Sequence, residues 1–201
     1  MVDENVFDLG SAMAGHYGPQ DSGVTLTETK FVCTWNLQGD AGRPQFVDAV
    51  RRIFGVALPS VPNTTAHGFA LTAFWLGPKS WLLISSDATA LTDFESRKDA
   101  LNAVGGALFD VSASRIAWTI AGPQAATVLA KGCPLDFHPR AFPEGACAQS
   151  VLGHISVLVY KRSSSPAFTV WVARSFARDV WHTLCVSAAP YGYDVLPARF
   201  L

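Results

Sequence analysis

The sequence predicts an α+β fold made of two intertwined ferredoxin-like halves. The first observation behind this is an internal echo. Pro44-Gln-Phe-Val-Asp-Ala-Val-Arg-Arg-Ile-Phe-Gly55, then Pro59, then Leu76-Gly77-x-x-Ser80-x-Leu82 is followed later by Pro123 to Gly132, then Pro134, then Leu152-Gly153-x-x-Ser156-x-Leu158. The second is that strand-like apolar runs meet through short turns, while helical periodicity falls only between the hairpins. The third is the order strand, helix, hairpin, helix, repeated, which does not suit a doubly wound parallel sheet. Two copies are short of the roughly three that a solenoid needs, so the halves are expected to pack on each other. The expected organisation is a flexible N-terminal arm over 1–23, a first half over 24–106 and a second over 107–201.

The arm carries Gly10, Gly15, Gly18, Pro19 and Gly23 with little periodicity, which reads as extended or frayed chain. Residues 24–37 alternate loosely (Val24, Leu26, Phe31, Val32, Trp35, Leu37) and read as strand. Pro44 then suits the first position of a helix, where its missing N–H costs nothing. Phe46, Val47, Val50, Ile53 and Phe54 share one face of that helix, and Gly55 suits the left-handed residue that ends it. Residues 69–76 and 80–85 form a hairpin around Gly77-Pro78, and Trp81-Leu-Leu-Ile84 is apolar throughout, as in a strand covered on both faces. Thr92-x-x-Glu95 proposes a capping box for a second helix. In it Phe94, Leu101 and Val104 face inward, and Glu95, Arg97, Lys98 and Asp99 form a solvated face. Leu108–Ser112 and Ile116–Ile120 read as strand, as do Val151–Tyr160 and Phe168–Val172. The last helix is expected to open at Ser175 as N-cap, to bury Phe176, Val180 and Leu184, and to end at Pro190.

Composition narrows the function. Charged residues make up 15% of the 201 and six are Trp, against roughly 25% charge in a typical soluble domain. Such a surface fits a chain that hides area against a partner, or a monomer with a bulky core. Fifteen Lys and Arg offset sixteen Asp and Glu with no basic run, which argues against nucleic-acid and polybasic membrane contact. The acidic start Met1-Val-Asp-Glu does not read as a signal peptide, and no apolar run reaches membrane-spanning length. A cytoplasmic protein is therefore expected, with Cys33, Cys133, Cys147 and Cys185 as free, mostly buried thiols.

The search for reactive groups yields few. His16, His67, His138, His154 and His182 share no metal-ligand spacing, and no cysteine lies two or three residues from another, so no metal site is expected. Gly122-Pro-Gln124 lacks both phosphate-binding glycine patterns. In Asp110-Val-Ser112-Ala-Ser114-Arg115, a carboxylate and an arginine could flank a ligand. The stronger expectation is an Asp–Arg pair or a turn whose Asp and Ser bond local backbone. Asp136-Phe-His138-Pro-Arg140 is a polar loop of the kind that carries function. Cys133 follows a helix end, where nothing lowers a thiol pKa. Arg174 opens the last helix against its dipole and is expected to contact something else. No catalytic or cofactor-binding residue is expected. Asp110, Arg115, Cys133, Asp136, His138, Arg140, Arg174 and Trp181 are the candidates for partner contact or structural signature.

From Leu108 to Gly192 the chain resembles the gamma-subunit family of heterotetrameric sarcosine oxidase. The residues that carry this are Leu108-Phe-Asp-Val-Ser112 with Arg115, Gly122-Pro-x-Ala125, Leu129-Ala-Lys-Gly-Cys-Pro-Leu-Asp136, His138-Pro139, Ala141-Phe-Pro143, Cys147-Ala-Gln149, Arg174-Ser-Phe-Ala177 and Trp181. Upstream, Leu76-Gly-Pro-Lys-Ser-Trp-Leu-Leu83 also fits. More distantly, Asp110-Val-Ser112, a strand and Gly122-Pro-x-Ala125 resemble the folate-binding domain of the glycine-cleavage T-protein, whose halves are duplicated α+β units.

The resemblance implies a small, non-catalytic subunit of a complex that oxidises sarcosine to glycine, passes the methyl carbon to tetrahydrofolate and makes hydrogen peroxide. It implies an alpha subunit as direct partner, with beta and delta subunits in the complex. FAD, FMN, NAD and tetrahydrofolate would then be held by those partners and none by this chain. The alternative expectations are a stand-alone folate-binding or aminomethyltransferase-like module, and an enzyme using Asp110, Arg115 or His138. Within the echo, the first copy is expected to serve packing, and Lys131–Pro143 with Arg174–Trp181 to hold the functional surface.

Overall fold

The computed structural model describes residues 13–19, 21–87, 93–163 and 165–201. The arm up to residue 12 and Thr92 of the proposed capping box lie outside them. The strands are β1 (Gly15–Tyr17), β2 (Val24–Lys30), β3 (Cys33–Gln38), β4 (Thr65–His67), β5 (Thr72–Gly77), β6 (Ser80–Ser85), β7 (Ala107–Asp110), β8 (Arg115–Ala121), β9 (Cys147–Leu152), β10 (Ile155–Lys161), β11 (Ala167–Ala173) and β12 (Tyr193–Phe200). The helices are α1 (Pro44–Phe54), α2 (Phe94–Asn102), α3 (Ala125–Ala130) and α4 (Ala177–Ala188).

The fold is mixed α+β with two sheets. One has seven strands in the order β1-β12-β2-β8-β11-β10-β9, the other five in the order β4-β5-β6-β3-β7. The chain divides into two compact units that do not follow the contiguous halves 24–106 and 107–201. One unit takes residues up to Lys30, Ile116–Glu144 and Ser150–Phe200; the other takes Phe31–Arg115, Gly145–Gln149 and Leu201. The reason is strand exchange. β2, from the first half, pairs in parallel with β12 and antiparallel with β8. β7, from the second half, pairs with β3, Asn36 opposite Phe109.

In the five-stranded unit, α1 forms as its sequence dictates. Pro44 occupies the first turn, and Gly55 takes the left-handed conformation (φ 64°) and donates its N–H to Arg51 O. Phe46, Val50 and Phe54 pack on Trp35, Leu37, Trp81, Leu83 and Leu108 in one apolar cluster, each such burial contributing about 1.5–3 kcal/mol. β6 is buried from Trp81 to Ser85, as its unbroken apolar run requires. In α2, Leu101 is buried and Phe94 packs on the same cluster, as does Val104 just beyond the helix. The solvated face carries the Lys98–Glu95 ion pair at 2.9 Å, while Arg97 lies 5.6 Å above the Trp35 ring. Its N-cap is Asp93, with no side-chain cap bond.

In the seven-stranded unit, α3 and α4 pack against each other and against β11, and Trp181 meets Trp118 at 6.1 Å between ring centroids. The second copy of the echo departs from the first. α3 starts at Ala125, after Gln124 as N-cap, so Pro123 lies ahead of the helix. Gly132 is not a left-handed cap. It packs closely instead: an added Cβ would stand 3.3 Å from Gly153 N and 3.1 Å from Leu152 Cδ1. Ser175 does not cap α4. Arg174–Phe176 form a 3₁₀ turn and the helix begins at Ala177, because the chain leaves β11 directly into that tighter turn. Phe176 is exposed, and Pro190 sits inside a further 3₁₀ turn, Ala189–Tyr191. Ser112 likewise opens a 3₁₀ turn and does not extend β7.

Part of the expected flexible arm is sheet. β1 pairs antiparallel with β12, His16 opposite Asp194, and Tyr17 stacks on Tyr193 at 5.2 Å. His16 Nδ1 lies 2.7 Å from Asp194 Oδ1 and Nε2 lies 2.7 Å from Pro19 O. Both partners only accept, so this geometry favours the protonated ring, in which both nitrogens donate. The bond to Asp194 chiefly raises the His16 pKa above its ordinary 6.5, and the same bond lowers that of Asp194 below 3.8. A raised histidine pKa adds stability that is complete below pH 6.5 and lost as pH rises through the folded value. The Asp194 contribution is present above pH 3.8 and lost as pH falls through its own folded value. The strand is therefore held best between those two ordinary values. NMR titration is expected to give a His16 midpoint above 6.5 that Asp194→Asn moves back down; a wild-type midpoint at or below 6.5 contradicts the latch.

Candidate functional site

The candidate residues fall into separate places. In the five-stranded unit, Asp110 ends β7 and Arg115 begins β8, and both line a shallow depression of about 540 Å³ with Asn36, Gln38, Leu82, Phe109, Val111 and Ser114. Asp110 Oδ1 accepts from both the N–H and the hydroxyl of Ser112, the turn that the Asp-x-Ser spacing favours. The Ser112 hydroxyl in turn accepts from Thr34 N–H at 2.9 Å. No Asp110–Arg115 ion pair forms. Arg115 is half-buried, and withdrawal from water lowers its guanidinium pKa.

In the other unit, Asp136, His138 and Arg140 lie on the loop after α3. Asp136 Oδ1 accepts from His138 N–H at 2.8 Å, and His138 Nδ1 accepts from Arg140 N–H at 3.2 Å. His138 O caps the following turn by accepting from Ala141 and Phe142 N–H. These polar groups wind a loop whose anchors are Phe137 and Phe142, both edge-on or tilted against Phe168. His138 is exposed, and its ring accepts from a backbone N–H.

Cys133 is buried and donates its N–H to Leu129 O at the end of α3. Its Sγ lies 3.5 Å from Ser150 Oγ. All four cysteines are free. Burial pushes the Cys33 and Cys147 thiols up to about 11, so neither is a nucleophile at neutral pH. Trp181 is buried and Arg174 is exposed. Among the described residues, no group of three His, Cys, Asp or Glu could hold a metal ion. No described helix is long and apolar enough to cross a membrane.

Sequence reasoning missed Lys161. It is 3% exposed, donates to Phe142 O at 3.1 Å and lies 5.9 Å from the Phe168 ring. It thus ties β10 to the 136–143 loop. The signal was available: Val157, Val159 and Lys161 share one face of a strand.

The geometry defines a duplicated two-sheet α+β module in which the conspicuous carboxylates and the imidazole of the signature shape loops. The model of the sarcosine oxidase, gamma subunit family matches residues 38–190. A sarcosine oxidase subunit gamma from Corynebacterium sp. (strain U-96) is 32% identical over 177 residues, covering 88% of this chain and 84% of the relative. The chain belongs to the sarcosine oxidase gamma subunit family. Among solved structures, a chain of heterotetrameric sarcosine oxidase from Corynebacterium sp. U-96 in complex with pyrrole 2-carboxylate superposes with TM-score 0.80 at 28% identity, over 91% of this chain and 92% of that one. The glycine cleavage system aminomethyltransferase T from Bartonella henselae superposes with TM-score 0.60 at 12% identity, over 90% of this chain and 48% of that one. This second likeness is one of fold.

Proposed function

We propose that this chain is the small, non-catalytic subunit of a heterotetrameric sarcosine oxidase. Partner subunits oxidise sarcosine to glycine, pass the methyl carbon to tetrahydrofolate and reduce oxygen to hydrogen peroxide. The alpha subunit is the direct partner, with beta and delta subunits completing the complex. FAD, FMN, NAD and tetrahydrofolate sit in those partners. The observation that carries the reading is the superposition at TM-score 0.80 over nearly the full length of a chain from such a complex. The local bonding of Asp110, Asp136 and His138 supports it, since groups that hold turns together are not poised to exchange protons with a substrate. Within this reading, exposed His138, Arg140 and Arg174 contact partners, and buried Cys133 and Trp181 serve packing.

The test is co-expression with the flavin-bearing subunits. The chain is expected to co-purify with them. Alone it is expected to show no flavin absorbance and no sarcosine-dependent peroxide. Turnover by the isolated chain overturns the reading, and calorimetric binding of tetrahydrofolate to the pure chain favours the stand-alone folate module.

A further inference from the structure

The loop after α3 is held by a buried charge. Lys161, the last residue of β10, is 3% exposed. Its ammonium donates to Phe142 O at 3.1 Å and lies 5.9 Å from the centre of the Phe168 ring, which the register sets directly opposite on β11. Among the described residues no carboxylate stands within ion-pair distance of it. A charge withdrawn from water without a counter-charge costs more than one carbonyl and one ring return. Lys161 is therefore a poor device for stability alone.

The atom it holds shows what else it does. Phe137, Phe142 and Phe168 pack with their ring centroids 5.1 to 6.3 Å apart. Apolar burial is non-directional, so these rings press the loop onto the sheet without fixing its course. The Lys161 bond is directional, and it reaches the loop at a main-chain atom. The N–H of the same Phe142 donates to His138 O, as does that of Ala141. Arg140 N–H donates to His138 Nδ1, and His138 N–H donates to Asp136 Oδ1. The anchor at Phe142 O is thus passed along the loop to the residues that carry the exposed His138 and Arg140 side chains.

We propose that Lys161 is a positioning residue for docking: its buried ammonium presets the 136–143 loop so that His138 and Arg140 meet the partner subunit without reordering. A preset loop binds without the ordering cost that a loose one incurs. The proposal rests on the subunit reading above. Methionine fills nearly the same volume as lysine but cannot bond Phe142 O. In Lys161→Met the cost of the buried charge disappears, and the loop lifts to let water reach the freed carbonyl. The fold keeps its stability while the docking geometry is lost.

Lys161→Met tests this in three ways. Thermal unfolding of the free chain is expected at or above the wild-type midpoint. The Ala141 and Phe142 amides are expected to exchange about tenfold faster or more, with those of β10 and β11 unchanged. Partner subunit recovered in a pull-down after co-expression is expected to fall about tenfold. Arg140→Ala, at an exposed position, is expected to lower recovery too, and Lys161→Met to add less on that background than on wild type. A lower unfolding midpoint returns Lys161 to an ordinary core role and overturns the proposal. Unchanged loop exchange, fully additive losses, or full partner recovery by either single variant overturns it as well. Each of these outcomes leaves the subunit reading standing, because the wild-type chain still captures its partner. A wild-type chain that captures none overturns both.

Discussion

Gly192→Ala is expected to destabilise the chain by more than about 3 kcal/mol. Gly192 has φ 66° and ψ 141°, a region that residues with a Cβ essentially avoid. Space is also lacking. An added Cβ would stand 2.5 Å from Pro19 O and 2.7 Å from Asp21 O, both backbone atoms that cannot rotate aside. Pro19 O is also the acceptor for His16 Nε2, so relief of the clash dislodges the β1 latch. Gly55→Ala separates strain from collision. Gly55 has φ 64° with nothing within 4 Å of the added atom, so only the left-handed cost of about 1–2 kcal/mol applies. Urea unfolding of the two variants gives the comparison, and equal losses would refute the collision.

The second large effect lies at Trp35. Its side chain is fully buried and packs on Phe54 at 6.0 Å and Phe94 at 5.6 Å. Trp35→Ala is expected to cost about 3–5 kcal/mol, the transfer and cavity terms together. Trp35→Phe is expected to cost much less than the lost area suggests. The indole N–H is buried without a hydrogen-bond partner among the described residues, and phenylalanine removes that unpaired donor along with the outer ring. Thermal or urea unfolding of both variants measures the gap. Similar losses would show that the indole's shape outweighs the unpaired donor.

Local physics was legible in the sequence; long-range pairing was not. Pro44, Gly55 and the apolar face between them specify α1 because each acts within a few turns of chain. β6 was legible because an unbroken apolar run cannot lie on a solvated face. The pairing of β2 with β12 joins residues 24–30 to 193–200, and nothing in either segment's own pattern selects that partner. The β1 strand was illegible for the same reason: three residues rich in polar atoms gain order only from Asp194 and Tyr193. At the candidate site, the turn offered for Asp110 and Ser112 formed, whereas Asp136-Phe-His138-Pro-Arg140 was legible only as a polar loop, and that its side chains bond its own backbone came from the structure. Ser175 had the chemistry of a cap, but the geometry with which β11 meets α4 decided the outcome.

The central pairing of β12 with β2 bears on how the protein is made. A ribosome delivers residues in order, and β2 emerges long before the strand it lies beside. Most of the five-stranded unit, residues 31–115, is available early and nearly contiguous. The seven-stranded sheet must wait, with β2 holding an unfilled edge until residues 193–200 arrive. Pairings of such sequence separation close slowly, and an exposed strand edge invites other chains meanwhile. Synthesis alongside a binding partner or chaperone would shield that interval, which makes the yield of folded chain sensitive to what is translated beside it.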